Sequence, residues 1–120
     1  MKKLLNFGFF LGIVLLAACE YETIIPDVPS PDVPVSFSTD LIPIFNKSCN
    51  CCHAAGGPKP DLTPANAYNS LVENNEFIPN NADQSILYLK CTPSGSMAPY
   101  INASELQLIK NLINQGGKNN

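Results

Sequence analysis

The 120-residue chain predicts an all-α fold of three to five short helices. Three features predict it. Leu106, Ile109 and Ile113, joined by Leu108 and Leu112, recur at helical spacing near the C-terminus. Short apolar segments elsewhere follow Ser, Thr or Asp residues suited to helix caps. No segment alternates apolar and polar residues over a useful length, as a half-buried strand would.

In chain order, residues 1–18 read as a leader. Lys2-Lys3 forms a charged start, and the apolar run from Leu4 to Ala18 is shorter than the roughly 20 residues a membrane-spanning helix needs. Leu16-Ala17-Ala18-Cys19 resembles the bacterial lipoprotein processing box, which implies cleavage before Cys19 and lipid on its thiol. Residues 19–35 carry Pro26, Pro29, Pro31 and Pro34 among small, apolar and acidic residues, the composition of an extended spacer. Such a spacer reaches about 50 Å at about 3 Å per residue. Residues 36–120 form one domain, short enough to have only a modest core of its own.

Within that domain Ser38 or Thr39 caps a helix from Asp40 to Lys47, with Pro43 in its first turn. Thr63 caps a second, with Pro64 at the first helical position, running to Val72. Asp83 or Ser85 starts a third through Ile86, Leu87, Tyr88 and Leu89. Ser104 with Gln107 forms a capping box for the last, and Gly116 ends it.

Between the first two helices stands Cys49-Asn50-Cys51-Cys52-His53. It contains Cys-x-x-Cys-His, the pattern of covalent haem attachment. Two thiols at this spacing can each add to one vinyl group on a haem edge, and the histidine that follows is carried beneath the ring. His53 is the only histidine, and Met97 is the only methionine besides Met1. Histidine nitrogen and thioether sulfur are one of the ligand pairs that haem iron uses, which makes His53 and Met97 the candidate axial ligands. A lone methionine is also a common core filler, and that reading stands beside the first.

Of five cysteines, Cys19 is assigned to lipid and Cys49 and Cys52 to haem. Cys51 and Cys91 remain. Outside the cytoplasm they can pair as a disulfide or stay as two free thiols. A structural zinc site drawn from Cys49, Cys51, Cys52, His53 and Cys91 is a competing reading, although adjacent cysteines suit tetrahedral geometry poorly and zinc leaves Met97 unexplained.

From Ile42 to Asn120 the chain resembles a class I c-type cytochrome of the small bacterial kind. The matching residues beyond the attachment motif are Pro43-Ile44-Phe45, Pro60-Asp61-Leu62-Thr63, Ala67-Tyr68 with Leu71, Ser85-Ile86-Leu87-Tyr88, Met97, Ile113 to Gly117 and Asn119-Asn120. The resemblance implies a cytochrome c-like fold around one covalently bound haem c, with first and last helices crossing and one haem edge exposed. Two positions depart from the pattern. Ala98 intervenes between Met97 and Pro99, and Leu112 stands where a tryptophan is usual.

The chain without its leader has five lysines, seven basic residues less Lys2 and Lys3, against ten acids. That balance gives a net charge near −5 and disfavours nucleic acid as a partner. An acidic electron carrier in the cell envelope, lipid-anchored on the periplasmic or outer face, would dock redox-partner proteins bearing a basic patch. The expected function is single-electron transfer without bond making. The alternative, a haem protein binding a gas or peroxide, requires an open iron site.

Overall fold

The computed structural model describes residues 27–120. The expected leader and the expected lipidation site at Cys19 lie outside the described residues. Among the described residues there are four α-helices and no strand, with Ile78 and Asn81 making one isolated antiparallel bridge. The all-α expectation holds. No helix among them is long and apolar enough to cross a membrane.

Helix α1, Ile42–Ser48, is entered through a π-helical turn, Phe37–Leu41, and so begins earlier than expected. Its cap is Ser36, whose Oγ accepts the Thr39 N–H at 3.3 Å while the Asp40 carboxylate accepts the Ser36 N–H at 2.7 Å. The earlier start buries Phe37 and Leu41 one turn apart. The far end of the chain holds it in place. The Asn120 carbonyl accepts both Ser36 Oγ and Ser38 Oγ, and Asn120 Oδ1 accepts the Phe37 N–H.

Helix α2, Ala67–Glu73, starts later than Thr63-Pro64 suggested. The Thr63 hydroxyl is not a cap; it donates to Asp61 Oδ1 at 2.7 Å. Helix α3, Ile86–Cys91, follows a 3-10 turn at Ala82–Gln84. Ser85 precedes it without capping, because its buried hydroxyl donates to the Asn81 carbonyl at 2.7 Å and accepts the Ile78 N–H at 2.8 Å. Helix α4, Ala103–Asn114, is capped by a box two residues earlier than expected, made by Asn102 and Glu105. Gly116 and Gly117 end it, both at positive φ, returning their N–H groups to Ile113 and Leu112. A side chain at Gly117 would collide with the Phe77 ring.

One core joins these elements: Phe37, Leu41 and Phe45 meet Leu71, Leu87, Ile109, Leu112 and Ile113. Tyr68 stands edge-on to Phe37 with ring centres 5.2 Å apart, and its hydroxyl donates to the Gly117 carbonyl. Lys47 at the end of α1 pairs with Glu105 at the start of α4 at 2.9 Å. The lysine is largely exposed, so this pair contributes at most about 1 kcal/mol.

Residues 27–35 differ from the expected spacer. They lie along α4 as a strap. Ser104 Oγ donates to the Asp27 carbonyl at 2.6 Å, Asn111 Nδ2 to Ser30 at 2.8 Å and Gln115 Nε2 to Val33 at 2.7 Å. Gln115 Oε1 accepts the Val35 N–H at 3.0 Å, and Val35 itself enters the core. Ser104, Asn111 and Gln115 share one helix face. The pairing follows from the chemistry of proline: Pro29, Pro31 and Pro34 have no N–H, so the segment is rich in carbonyls and the helix supplies the donors. A reach of about 50 Å for the whole spacer therefore does not apply to this half of it.

Candidate functional site

The end of α1 delivers the cysteine motif as a tight turn. The Phe45 carbonyl accepts the N–H groups of Cys49 and Asn50, and the Cys49 carbonyl accepts those of Cys52 and His53 at 3.1 and 2.9 Å. This winding brings Cys49, Cys52 and His53 to the wall of one cavity. The cavity measures about 350 Å³ and is bordered by Cys49, Cys52, His53 and Met97 together, with Cys51 and Cys91 also on its wall. Its inner surface is made by Phe45, Leu62, Leu87 and Ile109, all buried.

His53 is held by its ring. Nδ1 lies 3.2 Å from the Pro58 carbonyl and 3.1 Å from the Pro60 carbonyl. Carbonyls only accept, so these bonds place a proton on Nδ1, and in the neutral ring the Nε2 lone pair is then the one that can bind a metal. The His53 carbonyl in turn accepts the Leu62 N–H at 2.7 Å, closing the loop on itself. Met97 is partly buried against the core, and its N–H donates to the Lys90 carbonyl at 2.8 Å. Gly95, just before it, passes so close to that same carbonyl that no side chain fits there.

The loop that presents Pro60 is anchored by Asp61. Its carboxylate accepts the Thr63 hydroxyl, the Thr63 N–H at 3.0 Å and Asn66 Nδ2 at 3.0 Å, while its own N–H donates to Ser70 Oγ. The Thr63 hydroxyl bond, then the Thr63 N–H, hold this carboxyl below its ordinary value of 3.8. A depressed folded-state pKa stabilises the ionised form, so the contribution is present above about pH 4 and is lost as pH falls through the lowered value. Asp61→Asn is expected to be less stable than wild type at pH 7, with the gap between their melting temperatures closing on acidification below that range. An equal gap at pH 7 and pH 2.5 would refute this anchor.

All four described cysteines are free thiols. Burial, then neighbouring Cys51 and Glu105, push Cys49 up to about 11. Burial, then Cys49, push Cys91 up to about 12. A hydrogen bond shared with Cys51 raises Cys52, the two sulfurs standing 3.8 Å apart. Of the two alternatives for the remaining cysteines, the structure has the free thiols: Cys51 is exposed beside Cys52, whereas Cys91 is buried with Cys49 as its neighbour. The turn that aims Cys49 and Cys52 at the cavity decides where Cys51 can point. Among the described residues no three His, Cys, Asp or Glu side chains converge to hold a metal ion, so the zinc alternative finds no donor set there.

Sequence reading missed the polar edge of the cavity, where Lys59, Glu76, Lys90, Ser96 and Tyr100 lie. Burial raises the Glu76 carboxyl, with His53 and Lys90 partly opposing the shift. It also missed Pro58 and Pro60 as the acceptors for His53. Their signal was present, since two prolines in three residues leave carbonyls with few local donors. The residues fit a haem as a set. Walls of aliphatic and aromatic side chains suit a flat apolar ring, basic and hydroxyl groups at the edge suit its carboxylates, and two thiols sit beside a histidine with a free Nε2. The volume lies in the ordinary range for a ligand pocket. Comparison with family models, with characterised proteins and with solved structures returns no match.

Proposed function

We propose that the chain is a monohaem c-type cytochrome, an electron carrier rather than an enzyme, tethered to a membrane of the cell envelope by lipid on Cys19. The observation that carries this reading is one cavity bordered by two thiols, a thioether and His53, whose Nδ1 lies within hydrogen-bond reach of two proline carbonyls, so that Nε2 is the nitrogen available to a metal. In this reading Cys49 and Cys52 hold the group covalently, and His53 and Met97 bind its iron. Haem supplies reversible one-electron chemistry when bound.

The protein's own part is positioning and shielding. The Pro58 and Pro60 carbonyls keep the imidazole in one tautomer and orientation, as partners behind a metal ligand do. The Lys90 carbonyl fixes the backbone of Met97. Phe45, Leu62, Leu87 and Ile109 exclude water from the interior, so little solvent rearranges when an electron enters or leaves. Tyr100 and Ile86, both exposed at the cavity edge, border the side from which a partner protein would approach.

The deciding experiment is a haem-stained denaturing gel with a pyridine haemochrome spectrum of the purified protein. One covalent haem per chain is expected, and an unstained band would remove the reading. The same sample distinguishes the open-site alternative. A carrier shows the ferric long-wavelength band of iron–thioether ligation and no shift with carbon monoxide, whereas an open site lacks the band and shifts.

A further inference from the structure

The strap has a consequence for where electrons go. Taken with the lipid anchor and haem of the proposed function, it bears on the distance between the cavity and the membrane. A free chain from Cys19 to Ser36 reaches about 60 Å at full extension, but from Cys19 to Asp27 it reaches only about 29 Å. Asp27 is the first described residue of the strap, so Cys19 lies within that reach of it whatever course residues 20–26 take. The Asp27 carbonyl accepts Ser104 Oγ at 2.6 Å. Glu105, the next residue, pairs with Lys47, two residues before Cys49. Tyr100 and Ile101 on the cavity wall directly precede the Asn102 cap of the same helix. The described strap thus begins at the end of the domain that carries the attachment loop, and its other end, at Val35, lies against Gln115.

We infer that the 27–35 strap presents the attachment end of the domain to the membrane surface, for a redox partner anchored in that same membrane. Two features say that the strap is a specifically held element and not incidental packing. Asn111 is a buried carboxamide on α4 whose donor goes to the Ser30 carbonyl and whose acceptor takes Gln107 Nε2, so the helix devotes a core position to holding the strap. Gln115 uses both ends of its amide, donating to Val33 and accepting from Val35. Were the segment a free spacer, these groups would lie buried or idle without partners, which costs stability. A loose tether would let the domain turn any face outward and reach a diffusing partner. An anchor within half that reach of a point beside the cavity favours a partner whose own centre lies close to the bilayer.

The test uses the lipidated holoprotein on phosphatidylethanolamine–phosphatidylglycerol vesicles bearing a headgroup fluorophore, which stands in for a partner's centre at the surface. Haem quenching of that fluorophore reports the distance. Wild type is expected to quench strongly. An insertion of about eight Gly/Ser residues between Pro26 and Asp27 should weaken quenching, and Asn111→Ala with Gln115→Ala, which frees the strap, should weaken it comparably. Wild-type quenching in either variant would overturn the inference. Amide exchange at Val35 checks the strap without needing haem or lipid. Gln115→Ala should speed it about fivefold or more, the weight of one hydrogen bond, with the amides of Leu112 and Ile113 unchanged. Equal exchange at Val35 in wild type and variant would overturn the strap itself. Absent haem staining or an unlipidated mass, with Val35 still protected, would instead reject the proposed function and leave the strap standing.

Discussion

Replacing Cys49 and Cys52 together by alanine is expected to take covalent haem from one per chain to none. The two thiols border the cavity beside His53. Cys51 stays in this variant and makes it a sharper test. Its sulfur is only 3.8 Å from that of Cys52, so proximity alone would let it substitute. It sits one residue out of register, however, and is exposed, where Cys49 is partly buried against the core. Register should win, and the double variant should give an unstained band although a thiol remains. Covalent haem surviving in that variant would show that the attachment residues are misassigned. Each single variant should keep one thioether bond and therefore stain.

The second large effect belongs to Met97. Thioether sulfur is a poor donor to ferric iron, so a methionine ligand favours the ferrous state relative to imidazole in the same place. Met97→His should lower the midpoint potential by on the order of a hundred millivolts or more, within the wide span that axial ligands control. Met97→Ala should open the iron to carbon monoxide and abolish the long-wavelength ferric band. The backbone at this position should survive both changes, because the Met97 N–H is held by the Lys90 carbonyl and Gly95 sets the approach. Unchanged potential in the first variant and an unchanged spectrum in the second would exclude Met97 as a ligand. Ala98, standing between Met97 and Pro99, begins a 3-10 turn with Met97 as its cap, so the extra residue is absorbed after the methionine.

What was legible in the sequence was what depends on local spacing. The last helix could be read from the recurrence of Leu106, Ile109 and Ile113, because helical periodicity places such residues on one face wherever that face ends up. The candidate site could be read from Cys49, Cys52 and His53, because a five-residue stretch is short enough to carry its own geometry. Met97 could be named from the inventory alone, since there was no second methionine in the domain to choose.

Helix starts were misjudged where a side chain had two uses. Ser104 looked like a cap, yet its hydroxyl is taken by Asp27, and the box forms at Asn102 and Glu105. Thr63 looked like a cap, yet its hydroxyl serves Asp61. Caps compete with other acceptors and donors, and which wins depends on partners distant in the chain. The same reason hid the strap. Proline-rich composition announced an extended segment correctly, but extension says nothing of what the bare carbonyls meet. Asn111 and Gln115 answer them from a helix some 80 residues away, as the separations of 81 and 82 positions in those contacts show. By itself, then, the sequence determined the helical class and the candidate site at Cys49, Cys52 and His53. Only the tertiary structure decided the tautomer of His53, the company of each remaining thiol and the course of residues 27–35, because each of these is a choice among hydrogen-bond or packing partners that only folding brings together.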